Sequence, residues 1–193
     1  MEYHLKYMAP EELDRVYPLL ERDFADDERK RRGRIRALME SGMEVGWFLM
    51  ANGQEAGYAF VVRHPAAPFV LLDYIATEHH GRGDGTALLA LLKNEYLQGI
   101  LAEVDDPEQV PEGPERALRA RRLGFYRRAG FVPCPFENEI YTVRYLVHLW
   151  SPMPLEHPIQ AAARALDILY ALQLPEEEYR SNVFIPEPPV GDS

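Results

Sequence analysis

A cluster of glycines in the middle of the chain has the residue types and spacing of an anion cradle. Residues 69–92, FVLLDYIATEHHGRGDGTALLALL, read as a buried strand, a glycine-rich turn and an apolar helix. Glycine lets the main chain turn tightly with its N–H groups exposed. A helix start adds unpaired N–H groups and the positive end of a dipole. Together they suit a diphosphate. Two better-known nucleotide patterns do not match. A Walker loop ends in Gly-Lys-Ser/Thr, and Gly85-Thr86 has no lysine. A dinucleotide fingerprint needs G-x-G-x-x-G opening a βαβ unit, whereas Gly81, Gly83 and Gly85 lie mid-chain behind a hairpin. Arg82-Gly83-Asp84 spells an adhesion tripeptide, read as chance because no secretion signal accompanies it. The competing reading of the loop is a glycine turn that serves packing alone.

Other residues can move protons. Tyr126 lies on a helix that Gly130 is placed to stop. Leu118, Phe125 and Ala129 are expected on its inner face, with Tyr126 about 100° round from Phe125, lining a cleft rather than filling the core. Two carboxylates interrupt apolar strands. Glu103 shares a face with Leu101 and Asp105, while Ile100, Ala102 and Val104 take the other. Asp73 falls on the face of Ile75 and Thr77 by the same alternation. Either can accept a proton, or be a hydrogen-bonded structural group. The lone cysteine, Cys134, sits between prolines, and no Cys–His or Ser–His pairing points to a covalent nucleophile. The histidines at 4, 64, 79, 80, 148 and 157 are scattered. Adjacent His79 and His80 point apart, so no metal is expected, and His148, in an aromatic strand, is read as structural.

The elements that must position these groups follow from periodicity. Strands are expected at residues 2–8, 45–51, 55–63, 69–77, 100–105, 131–136 and 140–150. Asn52-Gly53 is a strong hairpin signal. Helices are expected from Pro10, at 28–40, at 85–97 (buried, being apolar nearly all round) and at 115–129. The order βααβββαβαββ predicts a layered α/β domain over residues 1–150 with a mixed sheet of about seven strands. Residues 151–193 follow as a helix at about 159–172 and a Pro-rich tail, expected to dock on the domain or on a partner subunit as a homodimer contact.

Composition narrows the function classes. A chain of 193 residues supports one full core. The net charge of −10 argues against a nucleic-acid partner and favours cationic ones, amines included; it also serves solubility. The apolar runs are too short to span a bilayer, and residues 1–17 do not resemble a signal peptide. With one cysteine no internal disulfide forms, which fits a cytoplasmic location. Two arginine clusters, at 28–36 and 115–122, read as anion contacts or as solvated helix faces. Asp23, Asp26, Asp27 and Glu28 read as an attractor for a cationic amine or as a solvated turn.

The segment His80-Gly81-Arg82-Gly83-Asp84-Gly85 resembles the acyl-CoA-binding motif of the GNAT superfamily, Arg/Gln-x-x-Gly-x-Gly/Ala between a strand and a helix, with His80 in the first position. LGFYRRAGF, at 123–131, resembles that superfamily's later Tyr-x-x-x-Gly-Phe segment, with Arg119 and Arg122 where an asparagine or alanine is common. The resemblance covers roughly residues 1–150. It implies a GNAT acyltransferase fold and acetyl transfer from acetyl-CoA to a small-molecule or peptide amine, by direct attack. It implies that His80, Gly81, Arg82, Gly83, Gly85 and Thr86 hold the diphosphate and that main-chain groups of Ile75 and Thr77 hold the pantetheine. It implies Tyr126 as proton donor to the leaving thiolate, and supports Glu103, ahead of Asp73 or a water chain, as base. A non-catalytic acyl-CoA sensor on the same scaffold is the alternative.

Overall fold

The computed structural model describes residues 1–79 and 81–186. The elements run β1 (Tyr3–Met8), α1 (Leu13–Asp23), α2 (Arg32–Glu40), β2 (Glu44–Ala51), β3 (Gln54–Val62), β4 (Val70–Thr77), α3 (Asp84–Glu95), β5 (Ile100–Asp105), α4 (Pro114–Arg128), β6 (Val132–Ile140), β7 (Val143–Trp150), α5 (Pro158–Gln173), α6 (Glu176–Asn182) and β8 (Val183–Phe184). This is the expected mixed α/β architecture, with eight strands rather than about seven. The chain gathers into two compact units. One holds Met1–His64 and Leu72–Glu95; the other holds Pro65–Leu71 and the chain from Tyr96 onward. Among the described residues no helix is long and apolar enough to cross a membrane.

In the first unit β1, β2 and β3 form an antiparallel meander, with Met8 opposite Gly46 and Glu44 opposite Val62. Asn52 and Gly53 both take positive φ, 49° and 80°, as the tight hairpin turn requires. Leu13, Val16 and Leu20 of α1 are buried with Ile35 and Met39 of α2 against Phe48, Tyr58, Phe60 and Tyr74. Two expectations are corrected here. The helix expected from residue 28 opens only at Arg32. The Lys30 amide donates to the Tyr74 hydroxyl (2.9 Å) and its ammonium to Asp73 (2.6 Å), and the flanking residues Arg29 and Arg31 are extended. Nor is α3 buried all round: Asp84, Leu88, Leu89 and Leu92 point inward, while Thr86 and Ala90 are exposed. Small side chains cost little in water, so an apolar composition overstated the burial.

In the second unit β7 pairs antiparallel with β5, Ile100 opposite Trp150, and with β6, Ile140 opposite Val143. The expected break between residues 136 and 140 does not occur. β6 runs through to Ile140, and the chain reverses at Tyr141-Thr142, both with positive φ. Asn138, a loop-like residue by type, is buried inside this strand. α4 ends at Gly130 (φ 80°) with Phe131 N–H on Tyr126 O and Gly130 N–H on Arg127 O, a Schellman stop. Its inner face is Leu123 and Tyr126; Leu118, expected inside, is 38% exposed. α5 buries Leu166, Leu169 and Tyr170 in this unit. The short α6 and β8 were not expected. They are held by tertiary contacts, Tyr179 to Asp167, Tyr141 to Glu178 and Tyr141 N–H to Asn182 O, and not by local propensity.

Candidate functional site

In the first unit β4 delivers the chain to the glycine loop. Ile75 and Thr77 are half-buried there, and the Glu78 N–H donates to Ala56 O at 2.9 Å. His80 lies outside the described residues. Gly81 and Gly83 take positive φ, 81° and 89°, and no atom lies within 4 Å of where either would carry a Cβ. Conformation, not close packing, therefore calls for glycine at both, which weighs against the packing-only reading. The Ala87 N–H donates to Gly83 O (2.9 Å) at the start of α3. The amides of Asp84, Gly85 and Thr86 precede that bond and lack main-chain partners in the helix. Arg82 stands exposed between the two glycines, and with His79, Asn52 and Glu55 it lines a small cleft of about 160 Å³. Asp84 is buried, and its carboxylate accepts a hydrogen bond from the Tyr3 hydroxyl (2.8 Å), tying the helix start to β1.

Asp73, the second candidate base, is committed elsewhere. Its carboxylate accepts from Lys30 Nζ at 2.6 Å. The same ammonium lies 3.9 Å from Glu44 Oε1 and above the Tyr74 ring. Consecutive residues Asp73 and Tyr74 thus both meet Lys30, one through its ammonium and the other also through its main-chain amide. Glu44 escaped notice in the sequence because it opens a strand, where an acid is ordinarily solvated. It is 2% exposed and neither oxygen receives a hydrogen bond among the described residues. Burial drives its carboxyl well above the ordinary 4.5; Lys30 opposes and Asp73 adds to that shift. Burial thus favours the protonated form of Glu44 over its carboxylate. Two of the acids near the end of α1 are also engaged. Asp23 accepts from Arg22 and from the Tyr58 hydroxyl, and Asp26 pairs with Arg29.

In the second unit Glu103 is half-buried in the middle of β5. Its Oε2 accepts from the Tyr170 hydroxyl (2.5 Å) and its Oε1 from the Asn138 amide. Neither donor stood out in the sequence, since each is brought in from a distant element. Tyr126 is 9% exposed and packs edge-on against Phe125 and Phe131, with centroids 5.3 and 5.4 Å away. This corrects the cleft-lining expectation toward the interior. Burial pushes its phenol up to about 12, with Arg122 opposing and Asp105 adding. Arg122 and Arg119 of α4 serve acids of their own unit, Arg122 with Asp105 (3.3 Å) and Arg119 with Glu115 (2.9 Å). Burial raises the Cys134 thiol to about 11, so it is not a thiolate near neutrality. His148 is fully buried, and burial lowers its pKa, keeping the ring neutral. The expected diphosphate and pantetheine contacts thus belong to the first unit, and Glu103 and Tyr126 to the second.

No protein-family model and no curated protein matches the sequence. Solved structures do match in fold. A Bacteroides thetaiotaomicron protein assigned to the GNAT family of acetyltransferases has a TM-score of 0.71 at 16% identity, covering 88% of this chain and 98% of its own. The Escherichia coli ribosomal-protein-S18-alanine N-acetyltransferase has a TM-score of 0.55 at 17% identity, covering 80% and 97%. The aminoglycoside acetyltransferase AAC(6')-Ib, in complex with paromomycin and acetyl-CoA, has a TM-score of 0.53 at 18% identity, covering 79% and 94%. At these identities the likeness establishes the fold, which is that of the GNAT acyltransferases.

Proposed function

We propose that this chain, built on the GNAT acyltransferase fold, transfers an acetyl group from acetyl-CoA to a primary amine by direct attack. The observation that carries the reading is the loop after β4. There two left-handed glycines, Gly81 and Gly83, lead into the open amides of α3. That geometry suits a diphosphate, and Arg82 adds a positive charge beside it. His80, Gly85 and Thr86 complete the cradle, and the main chain at Ile75 and Thr77 is the pairing edge for the pantetheine. Bound acetyl-CoA supplies an activated thioester; a main-chain N–H of β4 polarises its oxygen.

The acceptor amine must first lose a proton. With a pKa of about 10.4, roughly one lysine-like amine in a thousand is neutral at pH 7. Glu103 takes that proton, directly or through water, and the neutral nitrogen attacks the carbonyl carbon as the carbon–sulfur bond breaks. The sulfur leaves with the bonding pair and needs a donor. A Tyr126 phenol at about 12 cannot hand its proton fully to a thiolate of ordinary pKa about 8.5, a step uphill by about 5 kcal/mol. It acts instead by donating a hydrogen bond to the developing charge, while the second proton of the attacking nitrogen passes, directly or through water, to the departing sulfur, leaving a neutral amide and the free CoA thiol. The high thiol pKa of Cys134 agrees with a route that forms no acyl-enzyme. The acceptor is a small-molecule or peptide amine, and the net charge of −10 favours a cationic one.

Two observations favour a second reading, an acyl-CoA-binding sensor without turnover: Glu103 already accepts two hydrogen bonds and Tyr126 is buried. Free CoA thiol release from acetyl-CoA across a panel of primary amines separates the two, run beside calorimetry of acetyl-CoA binding. An enzyme releases thiol with at least one amine. In that case Tyr126→Phe lowers turnover by about tenfold or more while acetyl-CoA affinity holds. Binding without release assigns the sensor; no binding rejects both.

A further inference from the structure

Glu103 is the half-buried exception in a strand whose other residues are buried, and it is clamped from two sides. The Tyr170 hydroxyl reaches Oε2 from α5, 67 residues away, at 2.5 Å. The Asn138 amide reaches Oε1 from β6, 35 residues away. Asn138 is 1% exposed, and its own Oδ1 has no hydrogen-bond partner among the described residues. Its buried amide is therefore turned so that it donates to Glu103, although this leaves its acceptor dry. Tyr170 is equally committed, buried along the inward stripe of α5 with Leu166 and Leu169.

We propose that Tyr170 is a positioning residue that, with Asn138, orients the Glu103 carboxylate as the proton acceptor of the transfer reaction. This rests on the assignment of Glu103 as base. Two features support a positioning role beyond attachment of α5. Both donors are neutral, so they restrain the carboxylate without cancelling its charge. A donor on each oxygen also restrains rotation of the carboxylate plane, which fixes the direction in which Glu103 meets a proton. An apolar pair would fasten α5 with less desolvation than a half-buried acid. Other ionisable groups on the strands around it are Asp105, paired with Arg122 of α4; His148, whose pKa burial lowers; Tyr145, opposite Asn138; Glu137; and Glu139, paired with Arg144.

The test uses the full chain and Tyr170→Phe. The Glu103 carboxyl carbon is followed by ¹³C NMR across pH, its signal assigned by its loss in Glu103→Gln. Rate–pH profiles are recorded with acetyl-CoA and the amines of the panel. Loss of the phenol donor is expected to move the Glu103 titration, and with it the acidic limb of kcat/KM, up by about one pH unit. kcat falls about tenfold, with KM for acetyl-CoA within about twofold. In a Glu103→Gln background the same change has almost no further effect on kcat. An unmoved Glu103 titration in a folded Tyr170→Phe protein overturns the proposal. A moved titration with an unmoved rate profile overturns it too, by removing Glu103 as base. A wild type that binds acetyl-CoA but turns over none of the amines rejects the enzyme reading, and leaves any Tyr170 effect on the Glu103 signal as structural only.

Discussion

Asp73 and Glu103 are the same kind of exception in two regions of the molecule. Each is a half-buried carboxylate in a mostly apolar strand, β4 in the first unit and β5 in the second. Their partners differ. Asp73 is held by the Lys30 ammonium, which also lies 3.9 Å from the buried Glu44. Glu103 is held by an amide and a phenol. An ion pair uses up the charge it binds, so Asp73 is locked into fastening the α1–α2 connection to the sheet. Neutral donors leave the charge in place, so Glu103 still has a proton affinity to offer. The difference divides structural from chemical duty where residue type alone could not.

The largest effect expected from that division is at Lys30. Lys30→Met leaves Asp73 buried without its cation and should cost about 3–5 kcal/mol of stability, read from denaturant unfolding. A cost below about 1 kcal/mol would mean that Asp73 is no more committed than Glu103. Next comes the pair of amide replacements. Glu103→Gln should lower kcat about 100-fold with little change in stability, and Asp73→Asn should do the reverse. Equal losses of kcat in both would erase the distinction. The smallest effect belongs to Glu44→Gln. The Glu44 carboxyl is raised in the folded state, so the folded protein binds the extra proton. Its contribution to stability is fully present below the ordinary 4.5 and is lost as pH rises toward the raised value. Glutamine has no such dependence. The variant should match wild type near about pH 4 and gain on it as pH rises; parallel stability curves would show that Glu44 is ionised in the fold.

Much of the scaffold was legible along the chain. β5 was bounded correctly because a short, mostly apolar run lies between Gly99 and Pro107, residues that punctuate strands. Asn52-Gly53 and Gly130 marked a turn and a helix stop, since few other residues take positive φ cheaply. Gly81 and Gly83 were legible for the same reason. Other readings failed where a distant partner overrode local preference. Lys30 delays α2 because Tyr74 and Asp73 hold it extended. Asn138 joins β6 because its amide is used by Glu103. Tyr126 was placed at a cleft by its angle on the helix, yet Phe125 and Phe131 enclose it. The short, charged α6 has little intrinsic drive to form, so only its contacts reveal it.

The sequence by itself determined the conformational devices of this protein: where the chain turns, where helices stop, and where open amides gather at a glycine loop. These depend on steric limits within a few residues, so local spelling is enough. Only the tertiary structure decided which acids are spent and which are kept. Lys30 meets Asp73 across 43 residues and Tyr170 meets Glu103 across 67. The state of a carboxylate depends on the charges and donors that burial brings beside it, and nothing in the neighbouring sequence records them.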